Sequence, residues 1–175
     1  SCLHEAVALD CSESILRLLL ESGAIVDFGD RDGRTALQQA VCLGRDQLEQ
    51  VLLEAGAESA RVRPLDRWVA ACLRGDQRQA TLLRPGVGDI LPVDHLWLCR
   101  AIRSRNAEGS LLLLTGCDPS ATDDDGQSAL HLAAAAGDVE VCERLIGAGA
   151  DAAKLNFAGE TPLQASGVTG RKTGL

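Results

Sequence analysis

The feature that most constrains this chain is a glycine followed by a small residue, which recurs along most of its length. The doublets are Gly23-Ala24, Gly56-Ala57, Gly86-Val87, Gly116-Cys117 and Gly149-Ala150, and successive glycines lie 33, 30, 30 and 33 residues apart. A period of about 20–50 residues is typical of repeat proteins, in which each repeat buries its apolar face only against its neighbours. The sequence therefore predicts a stacked array of short repeats.

Each period contains the pattern of two short helices, and the fifth period shows it best. Residues 129–136 form an apolar segment that stops at Gly137. Apolar residues at positions 141, 142, 145 and 146 then repeat at helical spacing before Gly149. Because glycine commonly ends a helix, the period is predicted to hold a first helix, a turn and a second helix.

These motifs resemble the ankyrin repeat, whose signature is G-x-T-P-L-H-x-A-A-x-x-G followed by V-x-x-L-L-x-x-G-A. Residues 126–134 match the first part closely, Gly33 and Gly159 open further repeats, and Leu3-His4 begins one more. In the motif the glycine permits a positive φ, the hydroxyl residue caps the first helix, and Leu and Ala fill a thin seam. The resemblance implies an all-α ankyrin-repeat solenoid of stacked helix-turn-helix repeats with short β-hairpin fingers.

We expect one array over residues 1–175, with six repeats at 1–29, 30–62, 63–91, 92–122, 123–155 and an incomplete 156–175. The third and fourth repeats lack the motif, and most of their missing residues fall in the hairpin, which predicts shortened fingers. Trp68 and Trp97 are interpreted as taking the place of the motif leucine and filling a wider seam, in preference to stacking on a ligand. The motif leucines Leu130 and Leu163 are expected to be buried between repeats.

The composition excludes several classes of protein. The chain has 46% hydrophobic residues but only four aromatic ones, too few for an aromatic nucleic-acid platform. Its formal net charge of −8 makes nucleic acid an unfavourable main partner. No apolar run approaches the roughly 18 residues that span a bilayer, so no membrane partner is expected. Because the chain begins at Ser1 without a leader-like segment, we expect an excerpt of a longer protein.

Seven cysteines form an odd set without a C-x-x-C pair. This pattern is typical neither of a disulfide framework nor of a zinc site. Reduced cysteines that pack as small apolar side chains are the simpler interpretation, and they predict an intracellular location in the cytoplasm or nucleus.

The sequence offers little for catalysis. His4 and His131 fall on the motif histidine, which we expect to brace a neighbouring hairpin, and His95 is expected to cap a helix or face solvent. The run Asp123–Gly126 lacks the spacing of a calcium loop, and no nucleophile lies in a recognisable motif. The sequence therefore predicts no enzyme, no cofactor and no metal site.

Ankyrin arrays bind proteins, so the resemblance implies a non-catalytic module that recognises a protein or peptide segment on a concave surface of fingers and first-helix ends. We expect the module to be a monomer in isolation. The candidate partner-binding residues are Arg31, Arg34, Leu43, Arg74, Arg103, Asp124, Gln127 and Phe157.

Charge is uneven along the chain, since residues 61–110 hold nine arginines against five acidic residues. Complementary charge then favours a partner with an acidic segment, with Arg74 and Arg103 at equivalent first-helix ends as the main contacts. Two alternatives stay open. The array could be the targeting or substrate-adaptor arm of a larger enzyme or ubiquitin-ligase subunit. It could also bind nucleic acid through the central arginines, and such a complex would weaken steeply with added salt.

Overall fold

The computed structural model describes residues 1–86 and 92–167. Val87 of the third glycine doublet and the part of the sixth repeat beyond residue 167 lie outside the described residues. The chain divides into two compact halves, Ser1–Pro85 and Gly86–Leu175, and each is described by itself. The single array and the boundaries of its six repeats stay predictions.

The N-terminal half is built from three helix pairs. They are α1 (Cys2–Ala8) with α2 (Glu13–Glu21), α3 (Ala36–Cys42) with α4 (Asp46–Glu54), and α5 (Pro64–Leu73) with α6 (Gln77–Leu82). The first helices pack side by side in the order α1, α3, α5, and each second helix packs on its own first helix. In α4 the buried residues Leu48, Val51 and Leu52 lie three and four positions apart, which places them on one helix face.

The C-terminal half repeats this arrangement. Its described helices are α7 (Leu96–Arg103), α8 (Ala107–Leu114), α9 (Ala129–Ala136), α10 (Val139–Gly147) and the short α11 (Pro162–Ala165). A 3₁₀ turn at Pro92–His95 precedes α7. The first helices α7, α9 and α11 pack in order, while α8 packs against α7 and α10. Both halves therefore consist of stacked helix pairs, and the predicted all-α ankyrin fold class is confirmed.

Each helix pair turns at a residue with a left-handed backbone. Glycine takes this place at Gly44, Gly75 and Gly137, where φ is 66°, 71° and 71°. Asp10 and Arg105 take it in two other pairs, with φ of 52° and 56°. Glycine suits the position because it has no Cβ to clash at positive φ. The two other residues therefore hold a strained conformation.

The left-handed residue also fixes the register of the first helices. Seven positions before it lie Leu3, Leu37, Trp68, Leu98 and Leu130, each at most 3% exposed. Trp68 takes the leucine place, as predicted. For Trp97 the prediction is wrong by one position, because α7 turns at Arg105 and Leu98 therefore fills that place. Both tryptophans are buried, which confirms their role in the core.

Three tight loops form the fingers: the second finger (residues 30–34), the fifth finger (residues 123–127) and the sixth finger (residues 156–160). In each, the backbone N–H of the first residue donates to the carbonyl of the last, over 2.8, 2.9 and 3.0 Å. The first residue is Asp or Asn, and its side-chain oxygen also accepts the last N–H. Within the described ranges the hairpin character is confined to one isolated bridge, Thr122 to Ser128.

A 3₁₀ turn at Ser59–Arg61, just before the third repeat, stands where a finger would lead into α5. The following helix α5 is ten residues long, so residues that would form a finger belong to the helix instead. This confirms the shortened finger in the third repeat. Residues 87–91, just before the fourth repeat, lie outside the described residues, so the shortened finger of the fourth repeat stays a prediction.

Burial follows the repeat pattern with one exception among the motif leucines. Leu130 is buried, but Leu163 is 63% exposed, so its predicted place in a seam is wrong. The reason is that α11 packs on α9 on one side and has no described helix on the other. Four cysteines, at positions 42, 72, 99 and 117, are buried, and all seven are free. Within the described ranges, no helix is long and apolar enough to cross a membrane.

Candidate protein-binding surface

The motif histidines connect each first helix to the finger of the next repeat. His131 Nδ1 accepts the backbone N–H of Ser128 at 3.2 Å, which leaves the Nε2–H to donate to the Glu160 carbonyl at 2.9 Å. His4 Nε2 bonds the Arg34 carbonyl at 2.8 Å in the same way. Both rings are buried, and their role in bracing the fingers is confirmed.

In the second repeat a glutamine makes the equivalent hydrogen bond. Gln38 occupies the motif histidine position and donates from Nε2 to the Arg61 carbonyl at 2.8 Å. Its backbone N–H is accepted by the Thr35 hydroxyl, and its side-chain oxygen accepts the Thr35 N–H. His95 is different, because its Nδ1 accepts the N–H of Asp118 at 2.9 Å and so holds the loop after α8. These polar side chains stabilise the fold.

The second finger presents only part of the predicted set to solvent. Arg31 is exposed, and Leu43, which follows α3, is half-buried. Arg34 is only 4% exposed. The prediction that Arg34 contacts a partner is therefore wrong, because the chain itself covers its guanidinium. A sequence motif could not reveal this, since burial depends on how the long side chain turns.

Arg74 is exposed and lies at the end of α5. Its side chain crosses the turn residue of the preceding pair, since a Cβ built on Gly44 would lie 3.1 Å from Arg74 Nη1 and 3.6 Å from Cδ. The aliphatic stem thus packs on backbone while the residue stays exposed to solvent. Arg74 remains a candidate contact residue.

Arg103 projects from the end of α7 to the fifth finger. Its Nη2 forms an ion pair with Asp123, and a second with Asp125 at 3.3 Å, while half of its side chain stays exposed. The sequence placed Arg103 among the basic groups offered to a partner, but carboxylates of its own half hold it. Arg103 and Arg74 belong to different halves, and each is assessed within its own.

Several other central arginines are also held by carboxylates. Arg61 pairs with Glu58 at 2.8 Å, Arg67 with Glu49 at 2.7 Å, and Arg63 with the buried Asp66 at 3.0 Å. The charge count over residues 61–110 therefore overstates the positive charge that a partner would meet. Glu49 and Glu58 precede residues 61–110, so the composition of that segment does not include them, whereas the Arg63–Asp66 pair lies within it.

The fifth and sixth fingers bring together three predicted residues. Asp124 is exposed and Gln127 is half-buried, while Phe157 is 83% exposed at the tip of the next finger. The Phe157 N–H approaches the Asp125 carbonyl at 3.4 Å. A Cβ built on Gly126 would lie only 2.5 Å from Phe157 Cδ1, so the ring rests against the glycine backbone.

The structure adds Gly126 to this surface, beside Asp125 and Glu160, which the repeat pattern also places at the finger tips. Glu160 is exposed and its Oε2 accepts from Asn156 Nδ2 at 3.3 Å. A signal for this juxtaposition is present in the sequence. Asp or Asn stands three residues before the finger glycine at Asp123 and Asn156, which aligns Phe157 with Asp124 one repeat earlier.

Reactive chemistry finds little support in these residues. Within residues 1–86 and 92–167, no group of three or more His, Cys, Asp or Glu is arranged to hold a metal ion. Burial raises the pKa of Cys72 to about 12 and that of Cys99 to about 11, which keeps both thiols protonated at neutral pH.

A 440 Å³ cleft lies between the turns at 10–13 and 44–48 and is spanned by an ion pair from Arg45 to Asp10.

The chain is similar in sequence to several known proteins. The family model described as ankyrin repeats (3 copies) matches residues 98–173. The chain is 29% identical to SH3 and multiple ankyrin repeat domains protein 2 of Homo sapiens over 176 residues, 94% of this chain and 9% of that protein. It is 35% identical to neurogenic locus notch homolog protein 1 of Danio rerio over 144 residues, 77% of this chain and 6% of that protein.

A crystal structure of the ankyrin repeat domain of Bcl-3 is also similar, with 26% identity and a TM-score of 0.48 over 93% of this chain and 76% of that one. The chain spans less than a tenth of the length of the two curated relatives. The family match falls on residues whose helix pairs, capped first helices and bracing histidine are described above. Residues 98–173 therefore match the ankyrin-repeat family, and most of the chain is similar to a human protein with multiple ankyrin repeats.

Proposed function

We propose that the chain is a non-catalytic module that recognises a protein or peptide segment through its finger tips and first-helix ends. Ankyrin repeats generally mediate protein–protein interactions. The observation that carries the proposal is the exposure of Phe157 at a finger tip, although the loop that bears it is held by His131 and Asn156. A large exposed apolar side chain on a rigid loop is typical of a binding contact.

The proposed contact residues are those that face solvent on these loops and helix ends. Arg31 and Arg74 supply them in the N-terminal half, whereas Asp124, Gln127 and Phe157 supply them in the C-terminal half. Leu43 and Arg103 contribute their exposed parts. Arg34 is omitted because it is buried.

An acidic partner segment has less support than the sequence alone suggests. It depended on the central arginines, and carboxylates already hold Arg61, Arg63, Arg67 and Arg103. The same ion pairs weaken the case for nucleic acid. A role as the recognition arm of a longer enzyme or ligase subunit agrees with the small share of each relative that the chain spans. The seven free cysteines favour a reducing, intracellular location.

Photo-crosslinking from single sites tests the proposal. A benzophenone amino acid is placed at Arg31, Asp124 or Phe157, and in control variants at Gln50 or Glu143, which are exposed on second helices. We expect protein adducts from the finger positions and few from the controls. Adducts from the second helices alone, or none from any position in cells that express the protein, would contradict the proposal.

A further inference from the structure

We propose that the fifth and sixth fingers bind an arginine-bearing basic segment of a partner protein. In this arrangement a guanidinium lies over the exposed face of Phe157 and donates to the carboxylates of Asp124 and Asp125. The inference rests on the proposed protein-binding function and deepens it by naming the chemistry of the partner. It also reverses the sign of the partner charge expected from the arginine count.

The aromatic part of the site is preformed. The Phe157 ring rests against Gly126, where any side chain would collide with it, and the Phe157 N–H approaches the Asp125 carbonyl at 3.4 Å. The ring is nevertheless 83% exposed, so one face has no protein cover. An aromatic ring held in place by a neighbouring loop offers a binding face at little entropic cost.

The charge around the ring is negative. Across the two fingers, Asp123, Asp124, Asp125 and Glu160 stand without a Lys or Arg in the same loops. Arg103 contacts the fifth finger, and Lys154 Nζ donates to the Ser120 carbonyl at 2.7 Å just before that finger, so four carboxylates and two cations give a net charge of −2. A surface with this balance attracts a cationic partner and repels an acidic one.

The four carboxylates differ in how far they are exposed and in how many hydrogen bonds they already accept. Asp123 is largely covered, and its Oδ1 accepts the N–H groups of Asp125 and Gln127 at 3.0 and 2.9 Å. Asp125 shares Arg103 at 3.3 Å but keeps 70% of its side chain exposed. Asp124 is exposed beside it. The outer two carboxylates are therefore available, while the inner one shapes the loop.

Arginine fits this combination better than lysine or a metal ion. Its planar guanidinium stacks on an aromatic face and also donates in parallel to carboxylate oxygens. A bare cation would need several converging oxygens, and the most buried carboxylate already serves the loop and Arg103. The exposed ring would also contribute nothing to a metal site.

Fluorescence anisotropy with three octapeptides and the full chain tests this. The first peptide carries two arginines separated by alanine and leucine, the second carries lysine in their place, and the third carries glutamate. We expect the arginine peptide to bind, the lysine peptide to bind several-fold more weakly, and the glutamate peptide not to bind. Tighter binding of the glutamate peptide, or no binding of the arginine peptide, would overturn the proposal.

Matched variants locate the binding. Phe157→Ala and the double variant Asp124→Asn/Asp125→Asn should each weaken the arginine peptide roughly tenfold. Phe157→Leu keeps apolar bulk without the ring face and should lose most of the preference for arginine over lysine. The control Glu140→Gln/Glu143→Gln removes the same charge from exposed positions of α10 and should change affinity less than about twofold.

Equal losses in the α10 control and the finger variants would show diffuse electrostatics and contradict the site. Circular dichroism and thermal unfolding of each variant separate lost binding from lost folding. The failure of this inference is distinguishable from that of the proposed function. If the finger positions crosslink to a protein but the arginine peptide does not bind, only the basic partner is wrong. If crosslinks arise from second helices alone, the protein-binding surface itself is wrong.

Discussion

The helix-pair turns share one left-handed backbone conformation but differ in the residue that adopts it. Arg105 stands at φ 56° where Gly44, Gly75 and Gly137 stand in other pairs. A side chain in the left-handed region costs about 1–2 kcal/mol, and a glycine there removes this strain. Part of the gain in stability is lost because glycine has more conformational freedom in the unfolded chain. Replacing Arg105 by glycine should therefore stabilise the protein.

We predict that Arg105→Gly raises the free energy of unfolding by about 0.5–1 kcal/mol. Urea denaturation followed by circular dichroism measures it. The matched control is Gly137→Ala, which introduces the same strain into α9–α10 and should lower the free energy of unfolding by about 1 kcal/mol. A lower stability of Arg105→Gly would show that its side chain makes contacts worth more than the strain.

The motif leucines give a second prediction at this scale. Leu130 is buried between α9 and its neighbours, so Leu130→Ala should cost about 2–5 kcal/mol of unfolding free energy. Leu163 holds the same motif position but is mostly exposed, and Leu163→Ala should cost less than about 0.5 kcal/mol. Chemical denaturation of both variants decides this. Similar losses would mean that a surface covering Leu163 exists in solution.

The bond from a first helix to the next finger connects neighbouring elements. His131→Ala removes the donor to the Glu160 carbonyl and leaves a cavity, so it should cost about 2–3 kcal/mol. His131→Gln should cost clearly less, because Gln38 already makes the equivalent bond to Arg61 in the second repeat. Equal losses in the two variants, measured by urea denaturation, would show that ring packing dominates and that the bond to the finger contributes little.

The contact between the fifth and sixth fingers can be measured with a double-mutant cycle. Gly126→Ala strains a residue at φ 71° and pushes a Cβ into the Phe157 ring, so it should cost about 2–3 kcal/mol. In a Phe157→Ala background the collision disappears and only the backbone strain remains. The cost should then fall by at least about 0.5 kcal/mol. Additive effects would mean that the ring moves away freely.

These elements show how far the sequence predicts the structure. The bracing role of His131 and the loss of the third finger follow from motif position and residue count, because both depend on local chain geometry. The burial of Arg34, the pairing of Arg103 with Asp123 and the register of Trp97 do not. Arg103 pairs with a finger 20 residues away, and the register of Trp97 depends on a turn at Arg105 instead of a glycine. The burial of Arg34 depends on the path of its long side chain, and periodicity encodes none of the three.

At the scale of the molecule, ion pairs decide how much positive charge a partner would meet, and local composition alone does not. Residues 61–110 are rich in arginine, yet Glu49, Glu58, Asp66 and Asp123 hold four of those arginines. The chain as a whole carries −8. The exposed positions of the candidate surface were therefore predictable from the repeat pattern, whereas the ion pairs around them were not, since they form only in the folded chain.

The buried thiols yield a prediction about pH that reports on each half separately. Burial raises the pKa of Cys72 in the N-terminal half to about 12 and that of Cys99 in the C-terminal half to about 11, from 9.0. A raised pKa means that the folded chain keeps its proton longer than the unfolded chain. The stabilisation is therefore full below pH 9 and is lost as pH rises through 9 towards 11–12.

We accordingly expect the free energy of unfolding to fall between pH 9 and pH 10.5, and Cys72→Ala/Cys99→Ala to reduce that slope. At pH 8 the exposed Cys2 should react with a thiol reagent within seconds to minutes, while Cys72 and Cys99 should react only as fast as their own half opens. Mass spectrometry of the labelled chain follows each site. Rapid labelling of Cys99 would show that the packing of α7 opens on that timescale. A melting temperature lowered by dithiothreitol would contradict the free state of the seven thiols.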